Sequence, residues 1–179
     1  IVDLSNGNYH LIEKKVVIEG QKTAYFSEKF LEITVPVTTK EQIKEIKKTV
    51  THIAKKHDEE PYKALATTQQ AIFHQLEEQD EIDAAAIFDK VFEEKPLARE
   101  AAQLAITEER VPEKIAVTNV PKYERKYSKQ KFKLDNGIEI TIPSEIYENK
   151  EMVEFINNPD GSVSVLIKNI ESILNKFNA

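Results

Sequence analysis

The stretch KFKLDNGIEITIP, residues 131–143, decides the fold class that we predict for this chain. Its apolar residues alternate with polar ones on both sides of Asn136-Gly137: Phe132, Leu134, Ile138, Ile140 and Ile142. An Asn-Gly pair between two alternating runs is a strong local signal for a β-hairpin, because its turn needs residues that tolerate positive φ. The stretch therefore predicts two antiparallel strands with one apolar face.

The residues around this hairpin predict a small C-terminal α+β unit over residues 112–179. KIAVT, residues 114–118, is a candidate strand that precedes the hairpin. After the hairpin the patterns predict, in order, a helix over 144–157, a turn at Pro159-Asp160-Gly161, a strand over 162–168 and a last helix over 169–177. Residues 113–131 fit an ordered strand or a linker, and the sequence leaves both open.

The N-terminal part, residues 1–111, is predicted to start with β-structure and to continue as helices. A hairpin is expected to turn at Asn6-Gly7 and a second turn lies near Gly20, whereas residues 24–36 fit a short helix or a strand. A long helix begins at Thr39, and its apolar residues share one face: Ile43, Ile46, Val50 and Ile53. Three more helices are marked by apolar positions in 65–76, in 87–92 and at Leu97, Ala101, Leu104 and Ala105. The predicted fold class is α+β.

The composition excludes several kinds of function. The 179 residues include no cysteine, which excludes disulfides, thiolate metal sites and a cysteine nucleophile. All four glycines fall at predicted turns, so no glycine-rich phosphate-binding loop is present. No apolar run approaches the about 20 residues that a membrane-spanning helix needs. Because the chain opens on Ile1 rather than Met, we expect it to be a fragment of a longer protein.

No pattern of side chains points to catalysis or to metal binding. His52 and His57 are five residues apart, so on one helix they point away from each other. The acids at 80, 81 and 83 lack the glycine and the closing glutamate of a calcium loop, and they favour a solvated helix start instead. We therefore predict a non-enzymatic protein that needs no cofactor and no metal.

Two basic stretches stand out in a chain whose net charge is −6. KYERKYSKQKFK, residues 122–133, carries six basic side chains and one acid, with aromatic residues between them. This pattern is typical of surfaces that pair with phosphates and stack bases. The phosphate-contacting candidates are Lys122, Arg125, Lys126, Lys129 and Lys131, and the candidates for stacking are Tyr123 and Tyr127.

The long helix offers a second, weaker candidate surface opposite its apolar face. Its candidate phosphate contacts are Lys44, Lys47, Lys48, Lys55 and Lys56. Both stretches also fit simpler interpretations, because lysines cover most solvent-facing helices and protect exposed edge strands from aggregation. Few Arg, Asn or Gln side chains are available to read base edges, so any DNA binding is predicted to be independent of sequence.

The rival hypothesis is a protein-interaction or dimerisation module. Residues 77–94 carry eight acids and one lysine, and the aromatic segment 87–92 lies within them. On this view the acidic section docks another protein or a second copy of the chain. The helix pair over 83–93 and 97–106 suggests a helix-turn-helix, but Arg99 is the lone cation of its second helix, so we reject it as a DNA reader.

Two longer stretches resemble the bacterial 37-kilodalton nucleoid-associated protein family. They are EKKVVIEGQKTAYFSEKFL, residues 13–31, and FKLDNGIEITIPSEIYENKEMVEFINNPDGSVSVLIKNI, residues 132–170. The resemblance covers nearly all of the chain and implies the C-terminal half of a longer family member. It further implies a cytoplasmic, nucleoid-associated protein whose partners are DNA and DNA-handling proteins, with a homodimer left open. It implies no catalytic residue at any position.

Overall fold

The computed structural model describes residues 13–14, 16–18, 20–31 and 37–175. The hairpin that the sequence predicts at Asn6-Gly7 lies outside these residues. Contacts divide the chain into two compact units, residues 1–38 and residues 39–179. The boundary that we predict between residues 111 and 112 stays a prediction.

The first unit contains a short hairpin and a π-helix. Strand β1 (Val16–Ile18) pairs antiparallel with β2 (Gln21–Thr23), and Gly20 in the turn has a φ of +83°, as the predicted turn there requires. The π-helix spans Tyr25–Phe30, so the described part of the segment 24–36, which fitted either a helix or a strand, contains a helix. The Glu13 carboxylate anchors its first turn by accepting hydrogen bonds from the Ser27 hydroxyl at 2.7 Å and from the backbone N–H groups of Ser27 and Phe26.

The second unit is built on four helices. They are α1 (Thr39–Lys56), α2 (Pro61–Glu78), α3 (Ala84–Val91) and α4 (Pro96–Thr107). The predicted apolar face of α1 is confirmed, since Ile43, Ile46, Val50 and Ile53 are all buried. Helix α2 is central because α1 and α3 both pack against it, and the three share one hydrophobic core.

The buried face of α4 differs from the predicted one. The sequence marks this helix by Leu97, Ala101, Leu104 and Ala105, but the Leu97 and Leu104 side chains are 71% and 50% exposed. Of the four marked positions Ala105 is buried, and the alanines 98 and 102 complete the buried face. Small side chains allow the close approach of α4 to α1 and α3, so packing distance, rather than hydrophobicity alone, selects the face.

A two-stranded sheet connects the helical part to the residues after Pro112. Strand β3 (Glu81–Asp83) pairs antiparallel with β4 (Lys114–Ala116), and Ile82 lies opposite Ile115 in the core. The predicted strand at 114–118 is therefore confirmed. Asp83 also caps α3, because its carboxylate accepts a hydrogen bond from the Ala86 N–H at 2.9 Å.

The predicted Asn-Gly hairpin is confirmed and follows a helix that was not foreseen. Helix α5 (Val120–Tyr127) is followed by β5 (Lys129–Lys133), which pairs antiparallel with β6 (Glu139–Pro143). Gly137 has a φ of +89°, as this turn requires. Residues 113–131 are thus ordered, although as a short strand, a helix and the start of a second strand.

Two predicted helices near the C terminus are wrong. Helix α6 (Ser144–Glu148) covers only the start of the predicted 144–157 helix, and the rest forms β7 (Val153–Asn157). Strand β7 pairs antiparallel with β8 (Val163–Ile167) across the predicted turn at Pro159-Asp160-Gly161, and β8 confirms the predicted strand. β-Branched and aromatic side chains at 153–156 suit a strand once a partner strand is available.

The predicted helix over 169–177 is not formed in its described part, residues 169–175, because the apolar side chains there are not packed in a core. The α+β fold class is confirmed.

Candidate nucleic-acid interface

Helix α5 turns its tyrosines inwards and its cations outwards. Tyr123 and Tyr127 are four residues apart and so share a face; Tyr127 is 7% exposed in the core and Tyr123 packs against that core. The cations of the helix are all exposed: Lys122, Arg125 and Lys126. Asn119 begins the helix by accepting a hydrogen bond from the Lys122 N–H at 3.2 Å.

Side-chain amides fix α5 and β5 to α2. Gln69 donates to the carbonyl oxygens of Tyr127 and Lys129, at 3.2 Å and 2.8 Å. Gln130, which is buried, donates to the Ala66 carbonyl at 2.9 Å. The Ser144 hydroxyl also donates to the Tyr127 carbonyl at 2.7 Å. The backbone that carries the cations is therefore held in place at the helix-to-strand corner.

Both tyrosines of α5 lie close to lysine ammonium groups. The Lys126 ammonium lies 5.0 Å from the centroid of the Tyr127 ring and 5.8 Å from that of Tyr123. Lys122 lies 5.7 Å from the Tyr123 ring. Burial raises the pKa of Tyr127 to about 12, because the phenolate would lose its hydration. The structure thus assigns Tyr127 to core packing, in contrast to its predicted role as a stacking residue.

Strand β5 extends the charged surface by a row of lysines. Lys129, Lys131 and Lys133 are exposed and alternate with Gln130 and Phe132, so they share the solvent-facing side of the hairpin. Alternate residues on one face of a strand are about 7 Å apart. Lys133 was not among the predicted site residues, although the alternation within 129–133 is a signal that could have included it.

We call the six cations of α5 and β5 the α5–β5 surface: Lys122, Arg125, Lys126, Lys129, Lys131 and Lys133. Within the part of the chain that the structure describes, none of the six forms an ion pair with an acid. Lys133 lies opposite Glu139 in the β5–β6 register without pairing with it, so none of the six charges is held in a direct ion pair with a described acid. All six are exposed, so an external anion can reach them.

The candidate lysines of α1 are exposed, but only one of them shares a cleft with the α5–β5 surface. Lys48 pairs with Glu45 of the same helix at 2.7 Å. Lys47 alone of the α1 candidates lines a cleft that Lys131 and Lys133 also line. The remaining predicted α1 residues lie away from this cleft: Lys44, Lys48, Lys55 and Lys56.

The cleft has a volume of about 690 Å³ and lies between α2 and the two C-terminal hairpins. Aromatic rings form part of its wall, among them Tyr62, Phe132 and Phe155. Phe132 and Phe155 are 5.1 Å apart between ring centroids, and Tyr62 and Phe155 are 5.8 Å apart. These contacts hold the hairpin β5–β6 against β7 and both against α2.

The acidic section, residues 77–94, occupies the C-terminal end of α2 and the elements that follow it. Its aromatic side chains belong to the core, since Phe88 and Phe92 are fully buried and Val91 is half-buried. Many of its acids are exposed, and Glu81 pairs with Lys114 at 2.8 Å. An interface that uses the aromatic residues of this section would therefore require the core to open.

The described residues contain no helix that is both long and apolar enough to cross a membrane. They likewise hold no group of three or more histidines and acids that could bind a metal ion.

Fold and surface together define an α+β protein with six exposed cations on one helix and the strand that follows it. A family model described as nucleoid-associated protein YejK matches residues 2–175, and the chain belongs to this family. Membership confirms the predicted family and associates the chain with the bacterial nucleoid and with DNA. The match spans nearly the whole chain and supports the family. It does not support the narrower prediction that the chain is the C-terminal half of a family member. No curated protein and no solved structure matches the chain.

Proposed function

We propose that this protein is a non-enzymatic component of the cytoplasmic nucleoid that binds DNA without sequence preference through the α5–β5 surface. The observation that carries the proposal is the set of six exposed cations on one helix and the following strand, none paired with a described acid. Lysine and arginine that neutralise phosphates supply most of the affinity in sequence-independent DNA binding.

The side chains of this surface support phosphate contact more than base readout. Five of the six cations are lysines, which bind phosphate as point charges. Gln69 and Gln130, the glutamines closest to the surface, donate their amide N–H groups to backbone carbonyls of the fold. The base edges of a major groove would therefore meet few suitable donors.

A fluorescence-anisotropy titration of labelled duplex DNA tests the proposal. The double variant Lys126→Glu/Lys129→Glu removes two cations from the α5–β5 surface, and we expect it to lose most of its binding at near-physiological salt. The slope of log K against log salt should fall by about 2 in magnitude, since each phosphate contact contributes about 0.9.

The matched control is Lys90→Glu/Lys150→Glu, which changes the net charge equally at exposed lysines outside the surface. It should keep most of the wild-type affinity. Equal losses in both double variants would show that only net charge matters, and the proposed surface would then be wrong.

The α1 lysines provide a second proposed contact. The specific observation in their favour is that Lys47 lines the same cleft as Lys131 and Lys133. Docking of DNA-handling proteins or a second copy of the chain is the alternative function, and it would use the exposed acids of the acidic section. Failure of duplex and single-stranded DNA to bind at low salt would favour that alternative.

A further inference from the structure

We propose that the cleft between α2 and the C-terminal hairpins binds unpaired nucleotides of single-stranded DNA. This inference rests on the proposed function and adds a second mode of contact, in which bases as well as phosphates are held. The mode would make the protein prefer single strands, or melted and frayed ends, over intact duplex.

The size of the cleft fits such a ligand. Its volume of about 690 Å³ lies inside the range of about 300–1,000 Å³ that is typical of small-molecule sites. A nucleotide with its base unstacked can enter a cleft of this size, whereas a double helix can only lie across the mouth. The size of the cleft therefore favours single-stranded over double-stranded DNA as its ligand.

The wall of the cleft offers surfaces for base stacking. Tyr62 and Phe132 are half-buried and line the cleft, so part of each ring faces into it. One face of Phe132 stacks on Tyr147 with centroids 5.6 Å apart, which fixes the ring in place. Burial raises the pKa of Tyr62 to about 12, so its ring stays neutral over the physiological range. Stacking of this kind tolerates any base.

The charges around the cleft match the phosphates of a single strand. Lys47 belongs to α1 on one side, and Lys131 and Lys133 belong to β5 on the other. Phe132 and the two β5 lysines leave the strand on opposite faces, so the ring lies in the wall and we place the lysine ammonium groups on the solvent side of the hairpin, at the outer edge of the cleft mouth. None of the three lysines pairs with an acid among the residues described.

Asp135 is the one acid among the residues that line the cleft. Its carboxylate accepts a hydrogen bond from the Asn136 N–H at 2.9 Å, in the turn of the hairpin. Three lysines against one aspartate leave the lining with a positive charge. A strand that passes between Lys47 and Lys131 could thus place its backbone at the rim and its bases against the aromatic wall.

The test compares two labelled DNAs of equal length, a thymine-only single strand and a blunt duplex, by anisotropy. In parallel, a single strand that carries 5-iododeoxyuridine is photo-crosslinked to the protein, and mass spectrometry locates the crosslinks. We expect tighter binding of the single strand and crosslinks at Tyr62, Phe132 or Phe155.

Two variants sharpen the test. Lys47→Glu should weaken single-strand binding at least about 5-fold, whereas Lys40→Glu, an equal charge change on the same helix outside the cleft and outside the candidate contacts, should have a much smaller effect. Tyr62→Leu should cost about 5-fold or more in single-strand affinity while it leaves duplex affinity unchanged, because stacking on one ring contributes about 1–3 kcal/mol. Lys47 is exposed, so its variant remains informative if Tyr62→Leu is unstable.

Equal affinities for both DNAs, no crosslink in the cleft and equal effects of Lys47→Glu and Lys40→Glu would overturn the cleft proposal. The α5–β5 surface would still stand if Lys126→Glu/Lys129→Glu abolished duplex binding. Failure of both DNAs to bind at low salt would overturn both proposals together.

Discussion

At the scale of single residues, Tyr127 connects the basic surface to the stability of the fold. Its ring is buried and its pKa is raised to about 12 by that burial, whereas an unfolded tyrosine titrates near 10. The raised pKa means that the unfolded chain loses this proton first as the pH rises. The associated stability is fully present below pH of about 10 and is lost as the pH rises through about 12.

We therefore expect the free energy of unfolding to decrease over this alkaline range, measured by denaturant titration at several pH values. Tyr127→Phe should show a smaller alkaline decrease than the wild type, because one buried phenol has been removed. Tyr62 continues to contribute in the variant, since its pKa is also about 12. An unchanged decrease in Tyr127→Phe would show that its phenol is solvated in the folded protein.

Residue-scale chemistry was partly visible in the sequence. The cations of 122–133 follow directly from composition, and their exposure agrees with that expectation. The burial of the tyrosines between them was not visible in the sequence. Tyr127 is buried while its neighbour Lys126 is exposed only because this segment forms a helix that packs on α2. The sequence shows which charges are present, and tertiary packing decides which neighbours reach solvent.

At the scale of elements, helix α4 tests whether small residues really define a packing face. Ala102 is fully buried, whereas Leu104 is half exposed. We expect Ala102→Leu to destabilise the protein by about 1–3 kcal/mol, because the core has no room for the added methylenes. Leu104→Ala should cost less than about 1 kcal/mol, since much of that side chain remains in water.

Thermal and denaturant unfolding of the two α4 variants measures this difference. A packing face defined by the larger apolar side chains predicts the opposite result, with Leu104→Ala the more damaging change. A larger loss for Leu104→Ala would thus return the buried face of α4 to the leucine positions.

Strand β5 supports a prediction about salt dependence. Lys131→Gln/Lys133→Gln removes two charges from one face of the strand without reversing them. If both lysines contact phosphates, the salt slope of duplex binding should fall by about 2 in magnitude. Anisotropy titrations over a salt series measure the slope. An unchanged slope would limit the DNA contact to α5 and Lys129.

Elements were predictable where their signal is local. The hairpin β5–β6 follows from Asn136-Gly137 alone, and α1 follows from a regular apolar spacing. Strand β7 was predicted as helix because 153–157 suits either state until β8 supplies a partner. Helix α5 was missed for a related reason, as its apolar face consists mainly of tyrosines that need α2 to be buried. The cleft is lined both by Lys47 and by residues more than 80 positions further along the chain, and no local pattern reveals that they line one cavity.

At the scale of the whole molecule, charge segregation reconciles a net charge of −6 with the proposed DNA contact at the α5–β5 surface. Gln69 of α2 contacts the α5–β5 corner, whereas Glu78 ends the same helix nine residues later. That separation is about 14 Å along the helix axis. This distance is longer than the screening length of about 8 Å at physiological salt. It is shorter than the screening length of about 30 Å at 10 mM salt. The acidic section should therefore repel DNA only when salt is low.

The variant Glu78→Gln/Asp80→Asn, which changes two exposed acids, tests this argument. We expect it to raise duplex affinity at about 10 mM salt and to leave affinity unchanged at about 150 mM. Only at the lower salt concentration is the repulsion between these acids and the DNA unscreened over that distance. Anisotropy titrations at both salt concentrations measure the two affinities. An equal gain at both concentrations would place these acids in direct contact with the DNA, and no gain at low salt would show that the acidic section faces away from it. Either result would redefine which side of the molecule meets the nucleic acid.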